Sequence, residues 1–407
     1  MNLTSKIGEL VQSYDLCVFL TQNKHLDASS YLLKCKGNTN ELNWLLAEQL
    51  KVYFKAAHKL PHFVKHHCWF TSKSYEQASG EAFAIFKSSL FKGTNMLDLS
   101  GGLGVDDWAF SPKFDNIISL DPNVPLNILV RENFKKLGKN NILRLDQTAE
   151  AYLLAPLATQ FDLIYLDADR RPNETRNFFL DQGTPNFLAI QNTCLKLGKK
   201  VLLKLSPMVD ISYLKKVLVG IEKIVVIGNK LEVKELLLVL SHNYVGETIE
   251  EAVILKEAGP NLLFSPNSAA MPATNTSSKA LYFFEPHPSI IKAGLVSSYA
   301  NHCGLNQLAP QSAFYTGEII PANFMGRAFE LVQAFEFTKS NLQQYLKSNG
   351  LVQANITKRN FKQSTDEIRK AFKIKEGGKD YLFFSTLSND VRMVYHCQKA
   401  NTYALLG

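Results

Sequence analysis

Nowhere does the 407-residue chain hold an apolar run near the roughly 20 residues that cross a bilayer as a helix. Its first ten residues, Met1 to Leu10, form a polar-punctuated helical pattern and lack the apolar stretch of a signal peptide. A soluble, cytoplasmic protein with no membrane partner is therefore expected. Cysteine is scarce: Cys17, Cys35, Cys68, Cys194, Cys303 and Cys397 lie far apart without a C-x-x-C pair. That spacing argues against a disulfide framework or zinc knuckle and for reduced, structural thiols. Low-complexity tracts and internal repeats are missing too, so the chain reads as two to four ordinary globular domains. His58, His62, His66 and His67 gather around Pro61 but have no carboxylate or thiolate to complete a ligand set. They read as partly exposed helix-end histidines, and no metal site is assigned. Negative charge is in deficit, 37 Asp and Glu against 45 Lys and Arg, for a formal net charge of +8. Such an excess steers association with polyanions.

What is present is organised in blocks. Up to about residue 72 the pattern is helical, with Leu42–Leu50 and Val52–His58 placing apolar residues at helical spacing before Pro61. Ser72 to Leu90 reads as a further helix, striped by Tyr75, Ala78, Ala82 and Phe86. Short apolar runs then alternate with amphipathic stretches: Met96–Leu99, Ile117–Leu120, Ile142–Leu145, Leu163–Leu166, Val201–Leu205, Ile224–Ile227 and Leu236–Leu240. Alternation of this kind predicts a mostly parallel sheet covered by helices on both faces. The last two runs are separated only by residues 228–235, too few for a helical crossover, so they should close the sheet as an antiparallel hairpin. Beyond a Pro-, Asn- and Ser-rich loop at 266–278, two small α+β modules are expected. The resulting boundaries are 1–72 (helical), 73–244 (sheet domain), 245–321 and 322–407 (the two modules).

Met96-Leu-Asp-Leu-Ser-Gly-Gly-Leu-Gly-Val-Asp106 is a strand running into a glycine turn before a helix. Gly101, Gly102 and Gly104 let backbone approach a ligand, a signature shared with dinucleotide binders. The carboxylates separate the alternatives. Asp98 ends the strand, Asp106 enters the helix, and Asp121 and Asp146 end the next two strands. A pyrophosphate would be repelled there, whereas the sulfonium and ammonium of S-adenosylmethionine suit such an environment. Asp121 stands about 20 residues past the glycines, where an acidic side chain holds ribose hydroxyls; Asp146 or Gln147 is positioned for the adenine amine. Each aspartate has the plainer option of capping a helix or turn.

On these residues the chain resembles the class I methyltransferases, and within them a bacterial family that carries a C-terminal THUMP-like domain. The resemblance rests on Glu76-Gln-Ala-Ser-Gly-Glu81, Asp98 to Asp106, Tyr165-Leu-Asp-Ala-Asp-Arg-Arg171 and Lys204-Leu-Ser-Pro-Met208. It continues in Glu285-Pro-His-Pro-Ser-Ile-Ile-Lys-Ala-Gly294 and Ala354-Asn-Ile-Thr-Lys-Arg-Asn-Phe361. It implies an α/β, Rossmann-like class I methyltransferase fold with an N-terminal helical region and small C-terminal α+β modules, one of them ferredoxin-like. It also implies that Ser100 and the glycines contact S-adenosylmethionine, and that Gln77, Ser79 and Glu81 cover its methionine end. Gly80 stands where the family commonly has a second serine.

Asp167 and Asp169 fall just past the fourth strand, at the edge of an open α/β sheet where ligands bind. Asp167 is the candidate acceptor that holds a nucleophile's hydrogens and aims its lone pair. Arg170 and Arg171 either grip a phosphate with their guanidinium forks or pair with Asp167 and Asp169 as a structural network. The family pattern reads Asp-Pro-Ala-Arg-Arg; here Ala168 and Asp169 replace the middle pair, losing a fixed φ and gaining a carboxylate. Asp-Ala-Asp also resembles metal-dependent O-methyltransferases, but Lys204-Leu-Ser-Pro207 offers none of the further ligands such enzymes need. A catalytically silent RNA-binding protein is the remaining alternative.

Lys358, Arg359, Lys362, Arg369 and Lys370 crowd together near the end, with Phe361 and Phe372 interleaved, and Lys292 is a candidate contact in the other module. Phosphates anchor on such cations while unpaired bases stack on rings; a solvated lysine-rich helix face is the plainer reading. THUMP domains are associated with RNA, chiefly transfer RNA, so the resemblance implies an RNA partner.

Overall fold

The structure, a computed structural model, describes residues 14–35, 41–155, 159–167, 185–230, 232–266 and 280–400, together with Gly8, Val11, Leu180 and Gly183. Contacts divide the chain into two units, Met1–Glu222 with Leu237–Glu247, and Lys223–Leu236 with Thr248–Gly407.

The first unit begins with helices α1 (Leu16–Asn23), α2 (Ala28–Lys34), α3 (Glu41–Lys59) and α4 (Pro61–Lys65). Asp15 and Asp27 cap α1 and α2 by accepting amide hydrogens, and Pro61 starts α4 where its missing N–H costs nothing. One edge of α3 buries Leu46 and Leu50 against Leu16, Phe19, Trp69 and Leu129. Its other edge sets Val52 and Ala56, with Leu60 just beyond its end, against Phe63, Phe70, Ala84 and Leu103. The N-terminal helices thus share cores with the sheet domain.

The single helix expected over Ser72–Leu90 is two, α5 (Ser72–Gln77) and α6 (Glu81–Ser89). Ala78 and Gly80 are extended, at φ −62°, ψ 149° and φ −73°, ψ 149°. Ser79 between them is tied by hydrogen bonds to Lys87 and Asp106, so side-chain bonding overrides the helical stripe.

The alternating layer follows: β1 (Gly93–Asp98), α7 (Val105–Phe110), β2 (Phe114–Leu120), α8 (Val124–Lys136), β3 (Ile142–Leu145), α9 (Ala149–Leu154) and β4 (Phe161–Asp167). Then come α10 (Phe187–Leu197), β5 (Gly198–Leu205), α11 (Ile211–Val217), β6 (Ile221–Asn229) and β7 (Glu232–Leu240). Within this unit the sheet order is β3-β2-β1-β4-β5-β7, with β1 to β5 parallel. The order reverses between β1 and β4, which opens a crevice at their C-terminal ends. Neighbouring strands β6 and β7 are joined only through residues 230–231, which forces the antiparallel hairpin.

In the second unit the hairpin does not end the sheet. β8 (Ile249–Leu255) pairs with β6 in parallel, and β9 (Leu262–Phe264) pairs antiparallel with β8. The apolar half of β8, Ala252 to Leu255, is buried, which a free edge strand would leave wet. After it come β10 (Tyr282–Pro286), α12 (Pro288–Lys292), α13 (Val296–His302), β11 (Asn306–Ala309), β12 (Ser312–Gly317) and β13 (Gly326–Glu336). α14 (Lys339–Ser348), β14 (Asn355–Arg359), α15 (Thr365–Phe372), β15 (Asp380–Thr386) and β16 (Arg392–Lys399) complete it. The loop expected at 266–278 lies, but for Pro266, outside the described residues. One seven-stranded sheet, β11-β12-β10-β13-β16-β15-β14, spans both expected modules because long β13 pairs with β10 and β16. Ser385 Oγ donates to Ser312 Oγ at 2.9 Å, so β15 curls back toward β12 around Phe283, Phe314, Phe329, Phe383 and Tyr395. Among the described residues no helix is long and apolar enough to cross a membrane.

Candidate functional site

The crevice is built on the turn after β1. Asp98 is buried, and its Oδ1 accepts from Ser100 N at 2.7 Å and Ser100 Oγ at 3.2 Å. Gly102 and Gly104 have φ of +50° and +77°, the left-handed region that glycine enters without strain. Asp121, just past β2, accepts from Gly102 N at 3.0 Å and from Asn123 N at 2.8 Å.

Gly101 is required for a different reason. A Cβ there would lie 1.6 Å from Arg144 Nη1 and 2.3 Å from Ser119 Oγ. Arg144, on β3, threads its fully buried guanidinium beneath the turn. Nη2 donates to Gly102 O at 2.6 Å, Nη1 to Ser119 Oγ at 2.7 Å and Nε to Asn127 Oδ1 at 2.8 Å. Asp107 and Asp121 supply carboxylates at 3.5 Å. The turn is therefore braced from below by protein and open above to a ligand.

The cleft above it measures about 420 Å³ and is bordered by Gln77, Ser79, Asp98, Ser100, the 101–104 backbone, Asp106, Asp121, Leu126 and Asp167. That volume lies within the usual range for small-molecule pockets, roughly 300–1,000 Å³. Asp106 is a second hub. Its Oδ2 accepts from Tyr165 Oη at 2.8 Å and Ser79 Oγ at 2.9 Å, and its Oδ1 is 2.9 Å from the fully buried ammonium of Lys87. Burial raises the Asp106 pKa, but Lys87 and then Lys204 outweigh it and hold the carboxyl below its ordinary range. Asp98 moves the other way: burial first, then the neighbouring carboxyl of Asp107, lift it well above that range.

At the end of β4, Asp167 N donates to Ser100 Oγ at 2.6 Å, so Ser100 links the strand ends carrying Asp98 and Asp167. The Asp167 carboxylate forms an ion pair with Lys204 of β5. Asp169, Arg170 and Arg171 lie outside the described residues.

Three expected cofactor contacts are placed elsewhere. Glu81 does not border the cleft; its Oε1 accepts from His62 N at 2.7 Å and Phe63 N at 3.1 Å, satisfying the free amides that open α4. Asp146 is held by Asn127 Nδ2 at 2.6 Å and Arg131 Nη2 at 2.7 Å, and neither it nor Gln147 reaches the cleft. Sequence reading missed Lys87, Arg144 and Lys204 as site-building residues. A lone cation on an amphipathic stretch gives no sign that it turns inward.

The C-terminal cations are partly committed to the protein. Lys358 Nζ donates to Phe361 O at 2.8 Å, Arg369 Nη1 to Ala354 O at 3.1 Å, and Arg359 lies 3.5 Å from Glu285. Lys362 and Lys370 are exposed, and Lys292 is half-buried. Phe361 is buried and Phe372 packs against the same core, under α14 and α15. Phe361 is therefore core and offers no stacking surface to a base, whereas Phe372 is half-buried.

Comparison with known proteins agrees with this architecture. A THUMP domain-like family model matches residues 326–399, and a ferredoxin-like domain model matches residues 282–324. Uncharacterized S-adenosylmethionine-dependent methyltransferases of Mycobacterium tuberculosis strains CDC 1551 / Oshkosh and ATCC 25618 / H37Rv are each 23% identical over 308 residues, 75% of this chain and 81% of theirs. A crystal structure from Porphyromonas gingivalis W83, assigned as a methyltransferase, is 27% identical with a TM-score of 0.80, covering 98% of this chain and 99% of its own. Fold, turn and relatives together define a class I S-adenosylmethionine-dependent methyltransferase. Segments similar to a ferredoxin-like domain and a THUMP-like domain follow its methyltransferase domain.

Proposed function

We propose that the enzyme methylates a base in RNA, with transfer RNA as its first candidate substrate. The observation that carries the methyl-transfer reading is the bridge through Ser100 between Asp98, at the floor of the cleft, and Asp167, at its reacting edge. Carboxylates of Asp98, Asp106, Asp121 and Asp167 all border one cleft, which suits a ligand carrying a sulfonium and an ammonium. The THUMP-like segment and the +8 charge support an RNA acceptor.

In this reading Asp98, Ser100 and the 101–104 backbone hold the methionine end, with Gln77 and Ser79 over it and Asp106 beside it. Both Asp121 oxygens are steadied by backbone amides and keep lone pairs for the ribose hydroxyls. Leu126 offers an apolar wall to the adenine in place of Asp146 and Gln147. When bound, S-adenosylmethionine supplies a methyl group on a sulfonium that leaves with the bonding electron pair. Asp167 accepts hydrogens from the amine of the target base and points its lone pair along the line of displacement. Lys204 fixes the rotation of that carboxylate. As the nitrogen–carbon bond forms, the surplus proton passes to Asp167 or to water. Asp169, Arg170 and Arg171 are assigned to the approaching nucleotide, the arginines to its phosphate, and exposed Lys362 and Lys370 to RNA backbone.

Incubating the protein with cofactor radiolabelled in its methyl group and fractionated cellular RNA tests this. Label in one RNA fraction, traced to one nucleoside, is expected. Label in no RNA fraction, with transfer to a catechol that EDTA stops and magnesium restores, would contradict it.

A further inference from the structure

The histidines around Pro61 play no part in the site described above. Three half-buried rings there form a ladder: His66 and His62 have centroids 4.2 Å apart at 40°, and His62 and Trp108 4.9 Å apart at 33°. Trp108 is anchored from the core side by Phe63, edge-on at 5.6 Å. His66 is oriented by its Nδ1, 2.9 Å from His62 O. The innermost ring is thus held by the core, and the outermost is fixed at the end of the stack.

We propose that the His66–His62–Trp108 ladder is a stacking platform for unpaired bases of single-stranded RNA, located on the methyltransferase unit itself. Ring faces attract any base, because every base has a π-face, and nearby cations anchor the phosphates. Lys65 and Lys139 add positive charge that acts on His62. Burial, followed by His66, Lys139 and Lys65, lowers the His62 pKa. The inference rests on RNA being the substrate, and it supplies a ring surface that the buried Phe361 cannot.

The test is fluorescence anisotropy with the full chain and a short 5′-labelled oligoadenylate, against an abasic ribose-phosphate strand of equal length. His66→Ala and His62→Ala/His66→Ala should bind oligoadenylate about five- to a hundredfold more weakly, as expected for loss of a base stack. Both should bind the abasic strand like the wild type. His66→Phe, which keeps a ring and no charge, should retain oligoadenylate binding. S-adenosylmethionine calorimetry on each variant, expected unchanged, checks that the unit is folded. Equal oligoadenylate binding by wild type and His66→Ala overturns the platform and leaves the RNA reading standing. Failure of the wild type to bind either strand removes the RNA reading, and the platform with it.

Discussion

Arg144 Nη1 sits 1.6 Å from where a Cβ on Gly101 would stand, so the glycine turn and a buried guanidinium two strands away define one another. Gly101→Ala should force the guanidinium off Ser119, Asn127 and the Gly102 carbonyl together. Overpacking and a broken buried charge network each cost a few kcal/mol, so a loss of about 3 kcal/mol or more is expected. Urea unfolding checks it, and a change within about 0.5 kcal/mol, typical of a surface substitution, would refute the bracing role.

The Lys87–Asp106 pair is the matching brace behind Ser79. Lys87→Met leaves the Asp106 carboxylate in a site built for an ion pair, and a loss of about 3–5 kcal/mol is expected. Adding Asp106→Asn should recover much of that loss, because the unpaired charge goes too. Equal stability of the single and double variants in thermal melts would show that the two groups are not coupled.

Much of this was legible in the sequence, and the failures share a cause. All seven apolar runs from Met96 to Leu240 lie within strands, give or take a residue, because alternation reports burial on both faces. The Asp98–Asp106 turn was legible because its glycines and carboxylates are chemically unusual in series. Lys87 and Arg144 were not: their residue types are ordinarily exposed, and only tertiary partners far away in sequence turn them inward. Glu81 and Asp146 were misplaced for the converse reason. A carboxylate at a plausible position is taken by the nearest free amides or guanidinium, here the start of α4 and Arg131. The sheet beyond the hairpin was missed because β8 pairs directly with β6 although β7 separates them in sequence, a non-local choice that local pattern does not encode.

Asp167 is predicted to serve transfer and not cofactor binding. Asp167→Ala should bind S-adenosylmethionine like the wild type and lose about 10²- to 10⁴-fold in kcat. Calorimetry and single-turnover labelling measure the two separately; full turnover would remove the proposed role.

His287 opens α12 by accepting from Ser289 N at its Nδ1, and burial lowers its pKa from 6.5 to about 4. The folded protein keeps this ring neutral while the unfolded chain protonates it below 6.5. Stability should therefore be level above pH 6.5 and fall by roughly 3 kcal/mol as pH drops to 4. His287→Asn keeps a capping acceptor but cannot titrate. Its stability should lack this component, so the gap between variant and wild type should change between pH 7 and pH 4. An unchanging gap would contradict the assignment.

Asp98 is the floor of the proposed S-adenosylmethionine cleft. Asp98→Asn preserves shape and removes the carboxylate that a bound ammonium would draw into its charged form. Isothermal calorimetry of S-adenosylmethionine, with circular dichroism as the folding control, measures the consequence. Binding to the wild type and an affinity about 10- to 100-fold weaker in the folded variant are predicted, as for one charge-assisted hydrogen bond lost. Equal affinity in wild type and variant, or no binding by the wild type, would contradict it.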